Sequence, residues 1–160
     1  LFLWSHQPAT VGQIDKSCFS QWYAAPFEKD GLIYATAEHY MMAEKARLFQ
    51  DEDMLKAILD APHPGAAKNF GRQIAGFDEQ TWERHRFNIV VHGNKLKFSQ
   101  NEAIKLYLQN TKNRVLVEAS PQDQVWGIGL DERDRRAVDP TQWLGLNLLG
   151  FALMKVRAIL

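Results

Sequence analysis

Apolar positions along this chain recur mostly at helical spacing. The clearest run is TAEHYMMAEKARLFQ, residues 36–50. Thr36 suits an N-cap, because its hydroxyl can accept from a free amide of the first turn. Glu38 suits the positive end of the helix dipole. At roughly 100° per residue, Ala37, Met41, Met42, Leu48 and Phe49 fall on one broad arc. A second helix is predicted over 51–61, with Leu55, Ile58 and Leu59 on one face and Pro62 as its stop. Residues 64–74 form a short third helix that tolerates Pro64 at its start. The next spans 78–99, capped by Asp78, with Trp82, Phe87, Val90, Val91 and Leu96 on its apolar side and Gly93 as a weak point. Residues 100–111 offer Ile104, Leu106 and Leu108 for packing, and an apolar helix over 143–160 closes the chain.

The remaining segments read differently. RVLVEAS, residues 114–120, is rich in β-formers. Residues 1–35 are irregular, with KDG marking a turn between two short extended pieces. Residues 130–142 carry charges of both signs with Pro140 and read as a surface loop. There is no internal repeat or linker. The expectation is one compact domain over residues 1–160, mainly α with a small β element.

Two charges disturb the helix at 36–50. Glu38 and Lys45 lie seven residues apart, so they project within ~20° of each other and about 10 Å apart along the axis. Both fall inside the apolar arc, where an unpaired charge is costly. Either both sit at its margin with their heads in water, or this face lines a polar cleft.

Composition narrows the setting. The chain has 160 residues, 46% hydrophobic and 11% aromatic, which suits a packed core rather than disorder. Nineteen Lys and Arg balance nineteen Asp and Glu, so no global basic field marks a non-specific nucleic-acid binder, although a local patch stays open. A single cysteine, Cys18, allows no internal disulfide and fits a reducing compartment. No apolar run approaches membrane-spanning length, and the opening LFLW is short for a signal peptide. A cytoplasmic protein without membrane association is expected; oligomeric state stays open.

The common signatures of phosphate-binding loops, dinucleotide folds and serine hydrolases are absent. The five histidines are scattered and show no metal-ligand spacing, so neither a metal nor a cofactor is expected. Three stretches carry possible chemistry. SPQDQVWGIG, residues 120–129, sets Asp123 and Trp126 beside Gly127 and Gly129, where backbone can approach a ligand and the indole can stack; a core Trp followed by an ordinary turn fits as well. GLNLLG, residues 145–150, places Asn147 and Gly150 on one helix face, as a phosphate or ribose contact or as a capping Asn with a small-residue packing site. CFSQWYAAPF, residues 18–27, offers Ser20, Trp22 and Tyr23 for stacking and hydrogen bonding, or for an aromatic core.

Taken in order, these features resemble the NADAR family. Phe19-Ser20-x-Trp22 comes first. Glu38-His39-Tyr40 follows, with Lys45 on the same helix. Glu118 then precedes Asp123, Trp126, Gly127 and Gly129, and last come Gly145-x-Asn147-x-x-Gly150, Leu153-Met154 and Arg157. The likeness spans about residues 18–157. It departs where the family reads Ser-Asn-Phe and this chain has Ser20-Gln21-Trp22, and the charged loop 130–142 looks particular to this chain.

The resemblance implies a mainly helical hydrolase that cleaves N-glycosidic bonds of ribosyl compounds. Its two substrate classes are ADP-ribose on a guanine base, as in reversal of DNA ADP-ribosylation, and early phosphoribosyl intermediates of riboflavin biosynthesis. A module that binds ADP-ribose without turnover is the alternative. On this reading Lys45 attacks the anomeric carbon as a neutral amine, its pKa lowered by burial against Met41, Met42 and Phe49, while Glu38 carries the proton. Alternatively Glu38 activates water and Lys45 only orients hydroxyls. Asp123 holds a hydroxyl or orients Lys45. Ser20, Trp22, His39, Tyr40, Glu118, Trp126, Gly127, Gly129, Asn147 and Gly150 are expected to bind substrate, and Glu38, Lys45, Asp123, Trp126 and Asn147 to converge on one cleft.

Overall fold

Helix α1 spans Ala37–Leu48 and starts where Thr36 Oγ1 accepts from the His39 amide at 3.3 Å. The same capping logic sets the next helices. Asp51, His63 and Asp78 each accept from an amide of the first turn of α2 (Glu52–Leu59), α3 (Pro64–Gly71) and α4 (Glu79–Ser99). Each such cap contributes about 1 kcal/mol. The computed structural model describes all 160 residues, which gather into two compact units: residues 21–102, and residues 1–20 with 103–160.

In the unit 21–102, α1 packs against α2, α3 and α4. A hairpin of β2 (Phe27–Lys29) and β3 (Leu32–Tyr34) precedes α1. Its turn residues Asp30 and Gly31 both take positive φ, as a tight hairpin requires. Tyr34 and Tyr40 meet edge to face at 5.1 Å and both lie near Phe27. Gly93 does not break α4. The helix runs through it, and a glycine is required there because the Tyr40 ring occupies the space a side chain would need.

In the other unit, β1 (Phe2–Leu3) pairs in parallel with β4 (Val117–Glu118), so only two residues of the β-rich run 114–120 become a strand. Val117, Ile128, Leu130 and Ala137 form a core against which Phe2 and Trp143 pack. Helix α5 (Glu102–Gln109) buries Ile104 and Leu108 but leaves Leu106 half exposed, which corrects its assignment to packing. The loop 130–142 is ordered by short 3-10 turns and by Asp131–Arg133 and Asp134–Arg136 pairs. The last helix, α6, spans Leu148–Ile159, five residues later than its apolar pattern suggests. The delay has a physical cause. Asn147 is in the left-handed region (φ 52°), and the backbone from Leu144 to Leu148 bonds instead to Gln124, Val125, Gly127 and Ile128. No helix is long and apolar enough to cross a membrane.

Candidate active site

The site is built from α1 in the unit 21–102. Lys45 is half-buried, and its Nζ donates to the Gly71 carbonyl at 2.9 Å. The ammonium lies 4.6 Å from the Phe77 ring centroid and 5.5 Å from that of Trp82. Burial lowers the Lys45 pKa, the charges of Glu79 and Glu38 oppose that shift, and Arg72 adds to it. The lowered direction agrees with the sequence reading, and two rings that reading did not place beside Lys45 lie at the ammonium. Phe77 and Trp82 line its recess, with Phe49 packed edge to face on Phe77 and Met42 against Gly71. Glu38 is buried, and its amide donates to the Gln21 carbonyl at 3.0 Å. Gln21, where the family pattern has Asn, also accepts from Asn94 Nδ2 at 2.8 Å. Trp22 is partly exposed, with the Lys68 ammonium 5.9 Å from its ring.

Two expected substrate contacts on α1 are committed to structure. His39 is buried, with one ring nitrogen 2.8 Å from Thr36 Oγ1 and the other 3.0 Å from the Ala61 carbonyl. Burial also lowers its pKa, so a neutral ring is favoured. Tyr40 is a core aromatic against Tyr34, Phe27 and His92, and burial pushes its phenol up. Neither side chain is available to a substrate, which corrects both assignments.

The other unit holds the second group. Ser20 closes the 3-10 turn Lys16–Phe19. Asp123 Oδ1 accepts from the amides of Val125 and Trp126 at 2.9 and 2.8 Å, so its first task is to shape the turn that carries the indole. Gly127 has no room for a side chain, because a Cβ would stand 2.9 Å from the carbonyls of Asp123 and Glu118. Gly129 has φ +69°, a conformation that favours glycine. Trp126 is partly exposed, unlike a core indole. Trp126→Ala should therefore weaken nucleotide binding by roughly 1–3 kcal/mol and leave the melt almost unchanged, in a titration run beside a thermal scan. A core Trp would instead show the about 3–5 kcal/mol stability loss of a large-to-small core change.

Asn147 is corrected as a phosphate donor. It has no exposed surface; Oδ1 accepts from the Glu118 amide at 2.9 Å and Nδ2 donates to the Leu116 carbonyl at 3.0 Å. It is a structural clamp on β4. Gly150 lies against the Leu116 carbonyl and the Asn147 side chain, where a methyl group would collide, so it is a packing glycine.

Glu118 keeps a partly exposed edge, yet its Oε2 is fully buried with no hydrogen-bond partner. Burial, and then the charge of Asp123, push its pKa from 4.5 up to about 8. At neutral pH this carboxyl is mostly protonated. The folded protein then holds a proton that the unfolded chain releases above the ordinary carboxylate range. Stability from this group is complete at low pH and falls as pH rises through that window. Glu118→Gln should flatten the decline, and melting temperatures of both proteins from pH 5 to 8.5 check it. Parallel curves would contradict the shift.

An amine whose pKa is lowered by burial beside aromatic rings, and a separate carboxyl whose pKa is raised, suit a hydrolase that works through side-chain acid–base and nucleophilic chemistry. Comparison with known proteins agrees with that class. The chain belongs to the NADAR domain family, whose pattern matches residues 3–160. It is 40% identical over 154 residues to the N-glycosidase R617 of Acanthamoeba polyphaga mimivirus, covering 93% of this chain and 91% of that protein. It is 29% identical over 143 residues to the N-glycosidase YbiA of Escherichia coli, covering 89% and 81%. The solved E. coli YbiA structure superposes with a TM-score of 0.77 at 27% identity, over 99% of this chain and 83% of that one. The fold is therefore the YbiA fold. The riboflavin biosynthesis protein PYRR of Zea mays is 33% identical over 136 residues, 81% of this chain but 20% of that protein. The N-glycosidase names of the relatives support an enzyme of the glycosylase class.

Proposed function

We propose that this protein is an N-glycosidase that releases ADP-ribose from ADP-ribosylated guanine bases, with Lys45 as nucleophile and Glu38 as acid–base. The observation that carries the reading is the Lys45 amine. It is half-buried between Phe77 and Trp82 with its pKa lowered, on the helix that buries Glu38, in a chain whose relatives are named N-glycosidases.

The chemistry follows from those groups. Protonation of the ribose ring oxygen opens the sugar, and the neutral Lys45 amine attacks the anomeric carbon. A C–N bond to Lys45 forms, the bond to the guanine nitrogen breaks, and the departing base takes up a proton. Water then hydrolyses the resulting imine, freeing ADP-ribose and restoring the lysine. Glu38 carries the protons. Trp126 stacks on the sugar or base, and Asp123 holds a hydroxyl. Glu118, protonated near neutrality, donates to a substrate oxygen. ADP-ribosylated nucleic acid is the partner on this reading, and no cofactor is required.

A second substrate class is favoured by the likeness to PYRR, namely the early phosphoribosyl intermediates of riboflavin biosynthesis. Separate incubations with an ADP-ribosylated guanine oligonucleotide and with a phosphoribosylaminopyrimidine test the choice. Faster release of ADP-ribose supports the proposal. Faster cleavage of the phosphoribosyl compound moves the assignment to the second class, and tight binding without any cleavage makes the protein a reader of ADP-ribose.

A further inference from the structure

Within residues 21–102, two side chains that ordinarily carry full charge are buried: Glu38, 5% exposed, and Lys97, with no exposed surface. No other Asp, Glu, Lys or Arg residue of that unit is buried. A buried ammonium is costly unless an anion and hydrogen-bond acceptors offset its lost hydration. One buried cation and one buried anion in the same unit are the partners this rule calls for.

One segment links the surroundings of the two. The segment 21–23 runs between their helices. The Gln21 carbonyl accepts from the Glu38 amide, the Gln21 side chain accepts from Asn94 Nδ2, and the Tyr23 ring lies 5.6 Å from Lys97 Nζ. Asn94 and Lys97 are one turn apart on α4. The Asn94 Oδ1 is buried without a hydrogen-bond partner, one turn of helix from Lys97. Helical phase agrees as well. Trp82, Gly93 and Lys97 fall within about 60° on α4. Lys45 and Tyr40 of α1 meet the first two of these, so Lys97 continues the face that α1 covers.

We propose that Lys97 is the buried counter-ion of Glu38 and acts as its positioning residue. The pair removes a conflict in the site. Glu38 alone favours the ammonium form of Lys45, which opposes nucleophilic attack. A lysine on its far side offsets that field and holds Glu38 oriented for proton transfer while the Lys45 amine stays accessible. The catalytic part of this role rests on the N-glycosidase reading above; the pairing itself does not.

A double-mutant cycle in thermal melts tests the pairing without any substrate. Lys97→Met and Glu38→Gln should each lower the melting temperature, and the double variant should melt above the worse single variant, because neither charge is then left buried alone. If Lys97→Met alone fails to fold, recovery of a folded protein in the double variant supports the pair equally. Losses that simply add, or a double variant that also fails to fold, overturn it. Turnover supplies the second readout. Glu38 is faced by Lys97 and Asn94 from α4, by Gln21, and by Lys45 along its own helix, while Glu79 and Arg72 also act on Lys45. Removing the Lys97 charge should move the rising limb of the pH–rate profile to higher pH, since both Glu38 and Lys45 would then bind protons more tightly. A lower rate with an unmoved limb would assign Lys97 to packing alone. If no turnover of either substrate is found, the glycosidase reading fails and the melting cycle still decides the pair.

Discussion

Lys45→Arg is expected to abolish turnover as completely as Lys45→Ala. A guanidinium stays protonated near neutral pH and cannot attack the anomeric carbon. The structure sharpens this expectation. Lys45 sits where desolvation lowers its pKa, and its Nζ donates to the Gly71 carbonyl. Arginine keeps the charge and can still stack between Phe77 and Trp82, so electrostatic clamping would survive the change. The two roles therefore separate. Borohydride added during turnover should fix the ribosyl group to the wild-type protein by reducing the imine to an amine. Mass spectrometry should place that adduct on Lys45. Near-normal turnover by the arginine variant, without an adduct, would leave Lys45 as a clamp and transfer the chemistry to a Glu38-activated water.

The second large effect falls on stability. Asn147→Ala should cost roughly 3–5 kcal/mol in urea denaturation, a large part of the 5–15 kcal/mol typical of a folded domain. Three losses coincide. The Glu118 amide and the Leu116 carbonyl lose their partners inside the protein, at about 1–3 kcal/mol each. Alanine also disfavours the left-handed backbone at this position, which Asn tolerates. Asn147→Gly relieves the backbone but not the lost bonds, so it should unfold at a midpoint between alanine and wild type. A midpoint for the alanine variant equal to wild type would contradict the clamp.

The helices were largely legible because their signals are local. Thr36 and Asp78 cap the elements they were expected to cap, and Pro62 lies beyond the end of α2 as a breaker should. The Glu38–Lys45 pair was also legible, since two charges in an apolar arc are a local anomaly. What surrounds them was not. Phe77 and Trp82 reach Lys45 only when the segment after α3 and the start of α4 fold back over α1, and no spacing within α1 encodes that return. Lys97 was hidden in the run KLKFS, where Lys95 is exposed and Lys97 is buried. Its helical phase, shared with Trp82 and Gly93, was the available clue. Asn147 was misread because a polar residue at a helix start resembles a ligand donor. The left-handed backbone and the β4 carbonyl and amide that it satisfies are non-local facts.

The central claim is that the protein breaks an N-glycosidic bond rather than holding its ligand intact. The most direct measurement is chromatography of an ADP-ribosylated guanine oligonucleotide after incubation with the full chain, following both products at once. The account predicts free ADP-ribose and unmodified oligonucleotide in equal amounts, rising over many turnovers, and neither product with Lys45→Ala. Stoichiometric binding by a folded wild-type protein, with the modified base still intact and the phosphoribosyl compound likewise uncleaved, would contradict it.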